Sequence, residues 1–140
     1  MKRKLYSTIL ITIAVILIFQ LVAYAASDVP PTRNNNVSGT STGFHISSSG
    51  LASVDVRYNG YPNITSGATI DIVIKKVTFL WFTTTVVDVS YNIVGENYSH
   101  TYNYDVSSNG SGTYKCNVTY TISGSGGADD VIPFEDTASY

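Results

Sequence analysis

From Phe44 onward, apolar residues recur at every second position rather than every third or fourth. Ala52, Val54, Val56 and Tyr58 alternate with Ser53, Asp55 and Arg57. The same period runs through Ala68, Ile70, Ile72 and Ile74, through Val87, Val89, Tyr91 and Ile93, through His100, Tyr102, Tyr104 and Val106, and through Tyr114, Cys116, Val118, Tyr120 and Ile122. Period two places one face of a strand on a core and the other in water. Asn59-Gly60, Ser66-Gly67, Gly95-Glu96-Asn97, Asn109–Gly112 and Gly124–Gly127 supply turn residues between these runs. A short strand at Phe44–Ile46 and a last one from Val131 bring the count to about seven. No segment has a helical pattern long enough to cover a parallel sheet. The expectation is all-β, an antiparallel two-sheet sandwich. Three isoleucines, each worth about 1.5–3 kcal/mol when buried, mark Ala68–Lys75 as a central strand. Pro133 cannot donate to a ladder, so the last strand belongs at an edge or carries a bulge.

Two other patterns precede Phe44. Thr8 to Val22 is almost wholly apolar, interrupted by Gln20, preceded by Lys2, Arg3 and Lys4 and followed by Ala23-Tyr24-Ala25. That order reads as a signal peptide helix over 1–25, cut after Ala25. An uncleaved signal anchor is the rival reading; a spanning helix needs about 20 apolar residues, and this run is shorter. Lipidation at the cut would need a cysteine there, and the one cysteine is Cys116. Residues 26–43 hold two prolines, three consecutive asparagines and almost nothing apolar. They cannot offset their ordering entropy by burial, which predicts a flexible linker ahead of a domain over 44–140.

Removing the leader changes the charge. Three of the eight basic residues leave with it, so five stand against ten acidic ones, a net of −5. That excess argues against nucleic acid and against anionic membrane as partners, since both reward clustered Lys and Arg. No stable membrane insertion is expected after the leader is removed. A secreted or extracellular location follows.

One stretch carries more than periodicity. Gly112-Thr113-Tyr114-Lys115-Cys116 resembles the Gly-x-Tyr-x-Cys run that opens strand F of immunoglobulin domains. The resemblance implies that Tyr114 is a tyrosine-corner residue, bonded back to nearby backbone, and that Cys116 faces the core. Three departures separate it from an antibody-type domain: Gly110 replaces the acidic residue before the motif, the partner cysteine on strand B is missing, and so is the strand C tryptophan. The implied fold is an Ig-like sandwich. More broadly, ISSSGLASVDVRYNGY, ITSGATIDIVIKK, GTYKCNVTYTISGSGGADDVI and FEDTASY resemble stretches of a group of small secreted Ig-like proteins of Gram-positive bacteria. That resemblance implies export and a β fold, and it transfers no activity.

Candidate chemistry is sparse. His45 and His100 lie on different strands without metal-ligand spacing, and His100 shares a face with Tyr102 and Tyr104, which favours packing. No serine sits in a Gly-x-Ser-x-Gly elbow. No carboxylate pair is flanked by residues that would separate its pKa values. The expectation is no enzyme, no cofactor and no metal. Asp129-Asp130, followed by Glu135-Asp136, is the densest acidic cluster. Asp129 and Asp130 are the weak calcium candidates, weighed against a role in keeping an edge strand soluble. Cys116 is expected inside, as a small hydrophobe, with an intermolecular disulfide as the alternative. Five Asn-x-Ser/Thr sequons, at Asn36, Asn63, Asn97, Asn109 and Asn117, mark a surface rich in Asn, Ser and Thr.

The irregular stretch is Phe79-Leu80-Trp81-Phe82. Four large apolar residues stand where two strands should be joined by turn residues. Either the strands run longer and these residues alternate into the core, or they form an exposed aromatic tip. The first suits Phe79; the second suits Trp81 or Phe82. The functional expectation is an interaction module with a protein or polysaccharide partner. The alternatives are a carbohydrate-binding module using the Trp81 region, and a structural subunit joined through the last strand or Cys116.

Overall fold

The computed structural model describes residues 34–80 and 82–140. The expected leader over 1–25, the first part of the linker and Trp81 lie outside the described residues. Seven strands follow in order: β1 (Val37–Ile46), β2 (Leu51–Gly60), β3 (Thr65–Phe79), β4 (Phe82–Val94), β5 (Asn97–Asp105), β6 (Thr113–Gly124) and β7 (Asp130–Ser139). A 3-10 turn, Ser107–Asn109, joins β5 to β6.

All pairings are antiparallel. One sheet has the order β1-β2-β5 and the other β4-β3-β6-β7. By position, β1, β2 and β5 stand for the immunoglobulin strands A, B and E, and β3, β6 and β7 for C, F and G. β4 sits beside β3, where variable-type domains add their C′ strand. The fold is therefore an antiparallel two-sheet sandwich, as the alternation indicated, with the Ig-like strand order that the Gly112–Cys116 resemblance implied. β3 is central, flanked by β4 and β6, and β7 is an edge strand carrying Pro133.

The core forms where the two inward rows meet. Ala52, Val54, Val56 and Tyr58 from β2 face Ile70, Ile72 and Ile74 from β3 and Cys116, Val118, Tyr120 and Ile122 from β6, all essentially inaccessible. Tyr120 reaches across the sandwich, and its hydroxyl shares a hydrogen bond with the Thr42 hydroxyl at 2.6 Å. A buried tyrosine needs such a partner for its polar end.

Two readings of the sequence need correction. The linker does not extend to residue 43, because β1 begins at Val37. Val37 is fully buried and Thr42 half-buried, and a β1 strand this polar holds its place through backbone pairing with β2 from Val37↔Gly60 to Ile46↔Ala52. Nor is Ser66-Gly67 a turn. It lies inside β3 at a register shift between Thr65 and Gly67, and the β2–β3 turn falls at 61–64. Gly67 is needed there for space, since a Cβ would collide with the Ile93 carbonyl.

Candidate functional site

β3 and β4 run beyond the rest of their sheet. β3 pairs with β6 only as far as Lys76↔Tyr114, and past that point it pairs with β4 alone, through Val77↔Thr83 and Phe79↔Phe82. The result is a two-stranded ribbon that projects from one pole. Register shifts after Ile74 and after Val77 leave Val86 and Thr78 as extra residues, and such bulges bend and twist a ribbon away from its sheet. The Thr78 hydroxyl ties the tip by donating to the Phe82 carbonyl at 3.1 Å.

The tip is open to solvent. Phe79 is 68% exposed, Leu80 64% and Phe82 61%. The packing role expected for Phe79 is thus overturned, because the ribbon carries it past the last residue of β6 with which it could share a core. Leu80 has φ +53, a left-handed conformation that costs a branched or bulky residue about 1–2 kcal/mol. A glycine or asparagine would be the unstrained choice.

The root of the ribbon is fastened to the tyrosine corner. The Tyr114 hydroxyl donates to the Gly110 carbonyl at 2.6 Å, four residues upstream, as the strand F resemblance implied. The Lys76 ammonium donates to the carbonyls of Asn109 and Gly110 and lies 5.9 Å from the centre of the Tyr114 ring. The Tyr140 ring stacks with that of Tyr114, centroids 5.8 Å apart. Burial, then contact with Tyr140, pushes the Tyr114 phenol up to about 12. Between ribbon and corner loop lies an open cleft of about 480 Å³, lined by Lys76, Thr78, Thr84, Val86, Asn109 and Ser111 among others.

A second aromatic group closes the side of the sandwich where β4 and β5 are the edges. The rings of Tyr91 and Tyr102 stack at 4.0 Å. The hydroxyls of Tyr91 and Tyr104 lie 3.1 Å apart, and those of Tyr98 and Tyr102 2.9 Å apart. Desolvation raises the Tyr102 and Tyr104 phenols well above the ordinary range, with the Tyr98 and Tyr91 hydroxyls adding to it. His100 meets the Tyr102 ring edge-on at 4.6 Å but is itself exposed, not half-buried. His45 and His100 pair with Ser53 and Val56, positions of opposite parity on β2, so they point to opposite faces of their sheet. The sequence showed the alternating tyrosines but not that two strands from different sheets would interlock them.

Asp130 does not stand free for a cation. Its carboxylate accepts from three successive backbone amides: Asn35 at 2.8 Å, Asn36 at 2.7 Å and Val37 at 3.1 Å. Both oxygens are committed to the start of β1, which removes Asp130 from the calcium pair, and Asp129 beside it is exposed. The Asn36 side chain completes the clasp, donating to the Ala128 carbonyl at 2.9 Å and accepting from Gly126 N–H at 3.1 Å. Asn36 is fully buried, so its sequon is no surface feature.

Cys116 faces the core beside Ile74, fully buried. Burial pushes its thiol up to about 12, with the Asp136 carboxylate adding to the rise. The reactive species is the thiolate, so a disulfide between copies is not open to the folded chain.

No family model and no curated protein matches this chain. Among solved structures it is similar to the crystal structure of wild type OgpA from Akkermansia muciniphila, at 9% identity and a TM-score of 0.40, over 80% of this chain and 33% of that one. The chain spans about a third of that structure's length, and the fold described above rests on its own strand order and register.

Proposed function

We propose that this chain is a secreted or cell-surface Ig-like interaction module, without catalysis, that meets its partner through the β3–β4 tip. The observation that carries the reading is the exposure of Phe79, Leu80 and Phe82 at the end of a ribbon that outruns β6. An apolar tip held up by two bulges, a clamped lysine and a left-handed Leu80 is kept at a cost in solvation and backbone strain. Contact with a partner recovers the first and justifies the second. A polysaccharide is the second reading, favoured by the cross-strand pair Phe79↔Phe82, since aromatic rings stack on sugar faces.

The test compares the wild type with a Phe79→Ser, Trp81→Ala, Phe82→Ser variant. Both are passed over insoluble polysaccharides, peptidoglycan and intact cells, and their thermal midpoints are measured alongside. Retention of the wild type on one of these surfaces, lost in a variant of unchanged midpoint, is the expected result. A variant that unfolds early makes the tip structural. Equal retention of both places the interface elsewhere.

A further inference from the structure

The sandwich has four edges, and three of them are blunted. β7 carries Pro133 and the charges of Glu135 and Asp136. β1 contains Gly39 and Gly43 and is bulged between Val37 and Gly39. β5 is the shortest of the seven strands, at 9 residues. β4 differs. It is 13 residues long, pairs only with β3, and contains no proline, glycine, lysine or arginine. From Val87 to Val94 its one charge is Asp88. Such an edge presents a row of backbone donors and acceptors to any strand of matching pattern.

The matching pattern is its own. Antiparallel pairing of β4 with a second β4 about Ser90 keeps polar residues on the outer face and apolar ones on the inner. It sets Asp88 opposite the second copy's Asn92, Val89 opposite Tyr91, and Val87 opposite Ile93. Val94, 95% exposed and the most exposed large apolar residue among those described, ends this run, and the bulge at Val86 closes the register at its other end. No like charges face each other in this register, and Val87, Val89, Tyr91 and Ile93 each gain an apolar neighbour. We propose that two copies of this chain associate edge to edge through β4, about a twofold axis at Ser90, to form one eight-stranded sheet. The axis sends the two aromatic tips in opposite directions, so the pair can hold two partners at once.

Asn92 reports on this register, because its side chain faces outward and accepts from the Thr69 hydroxyl at 3.0 Å, a bond that aspartate preserves. Sedimentation of the domain across micromolar to millimolar concentrations is expected to show a monomer–dimer equilibrium. Asn92→Asp opposes carboxylates twice per dimer and weakens it by about tenfold at low salt. Asn92→Lys sets lysine opposite Asp88 and tightens it, and the Asp88→Lys, Asn92→Asp pair restores it. A wild type that stays monomeric throughout overturns the proposal. So does a dimer that ignores all three changes, or one abolished by the tip variant while these leave it intact.

Discussion

Asp130 does with one side chain what a strand neighbour does elsewhere in the sandwich. Its carboxylate takes three amides at the entry to β1, where the ladder to β2 is interrupted by the bulge after Val37. Two of those amides are buried, so removing the acceptor leaves donors without partners. Asp130→Ala is expected to cost about 3 kcal/mol in urea unfolding, since hydrogen bonds to charged groups are worth about 1.5–3 kcal/mol each and the losses overlap. Asp129→Ala should change stability by less than about 0.5 kcal/mol. None of this was legible in the sequence, where the acidic pair reads as charge that keeps an edge strand soluble or, more weakly, as a cation site; the partner amides lie more than 90 residues away. Tyr114 and Cys116 were legible because their roles are set by a local run of five residues.

At the scale of elements, alternation located every strand with a strong apolar face and failed where the face was weak. β1 looked like linker because Ser38, Gly39, Thr40 and Ser41 offer no apolar signal, and its order comes from β2 and Asp130 rather than from its own residues. Ser66-Gly67 looked like a turn because glycine serves both a reversal and a close approach of strands. The tip was visible as an anomaly, but its exposure depended on how far β3 outruns β6, which no local pattern encodes. Leu80 gives this element its own prediction. Leu80→Asn suits φ +53 and should stabilise the fold by about 1 kcal/mol in denaturant titration. It should also weaken retention on whatever surface the tip binds, which would show that the strain serves contact.

For the whole molecule the shared property is a set of phenols and one thiol held neutral by burial. Tyr58, Tyr102, Tyr104, Tyr114, Tyr120 and Cys116 are all shifted upward. A folded pKa above the unfolded one means that the unfolded chain releases its proton first. The stabilisation is therefore complete below about pH 8, starts to fall as the unfolded thiol titrates at about 8.5, and falls faster once the unfolded phenols titrate at about 10. Thermal melts should give a flat midpoint from neutrality to about pH 8, a gentle fall to about pH 10 and a steep fall beyond it. Ionisation of Tyr58, Tyr102, Tyr104, Tyr114 and Tyr120, followed residue by residue by NMR, should accompany unfolding rather than precede it.

The clasp at Asn36 sits beside Thr65, the first residue of β3, while the aromatic tip begins at Phe79, the last. With a rise of 3.2–3.4 Å per residue, the two lie roughly 45 Å apart along one strand. A pull between the chain's entry and a partner on the tip runs parallel to the strands. It loads the ladders of β3 in shear, so the hydrogen bonds to β4 and β6 share the tension instead of opening one after another. A partner held at the tip would thus pull along the strands from the end of β3 opposite the clasp.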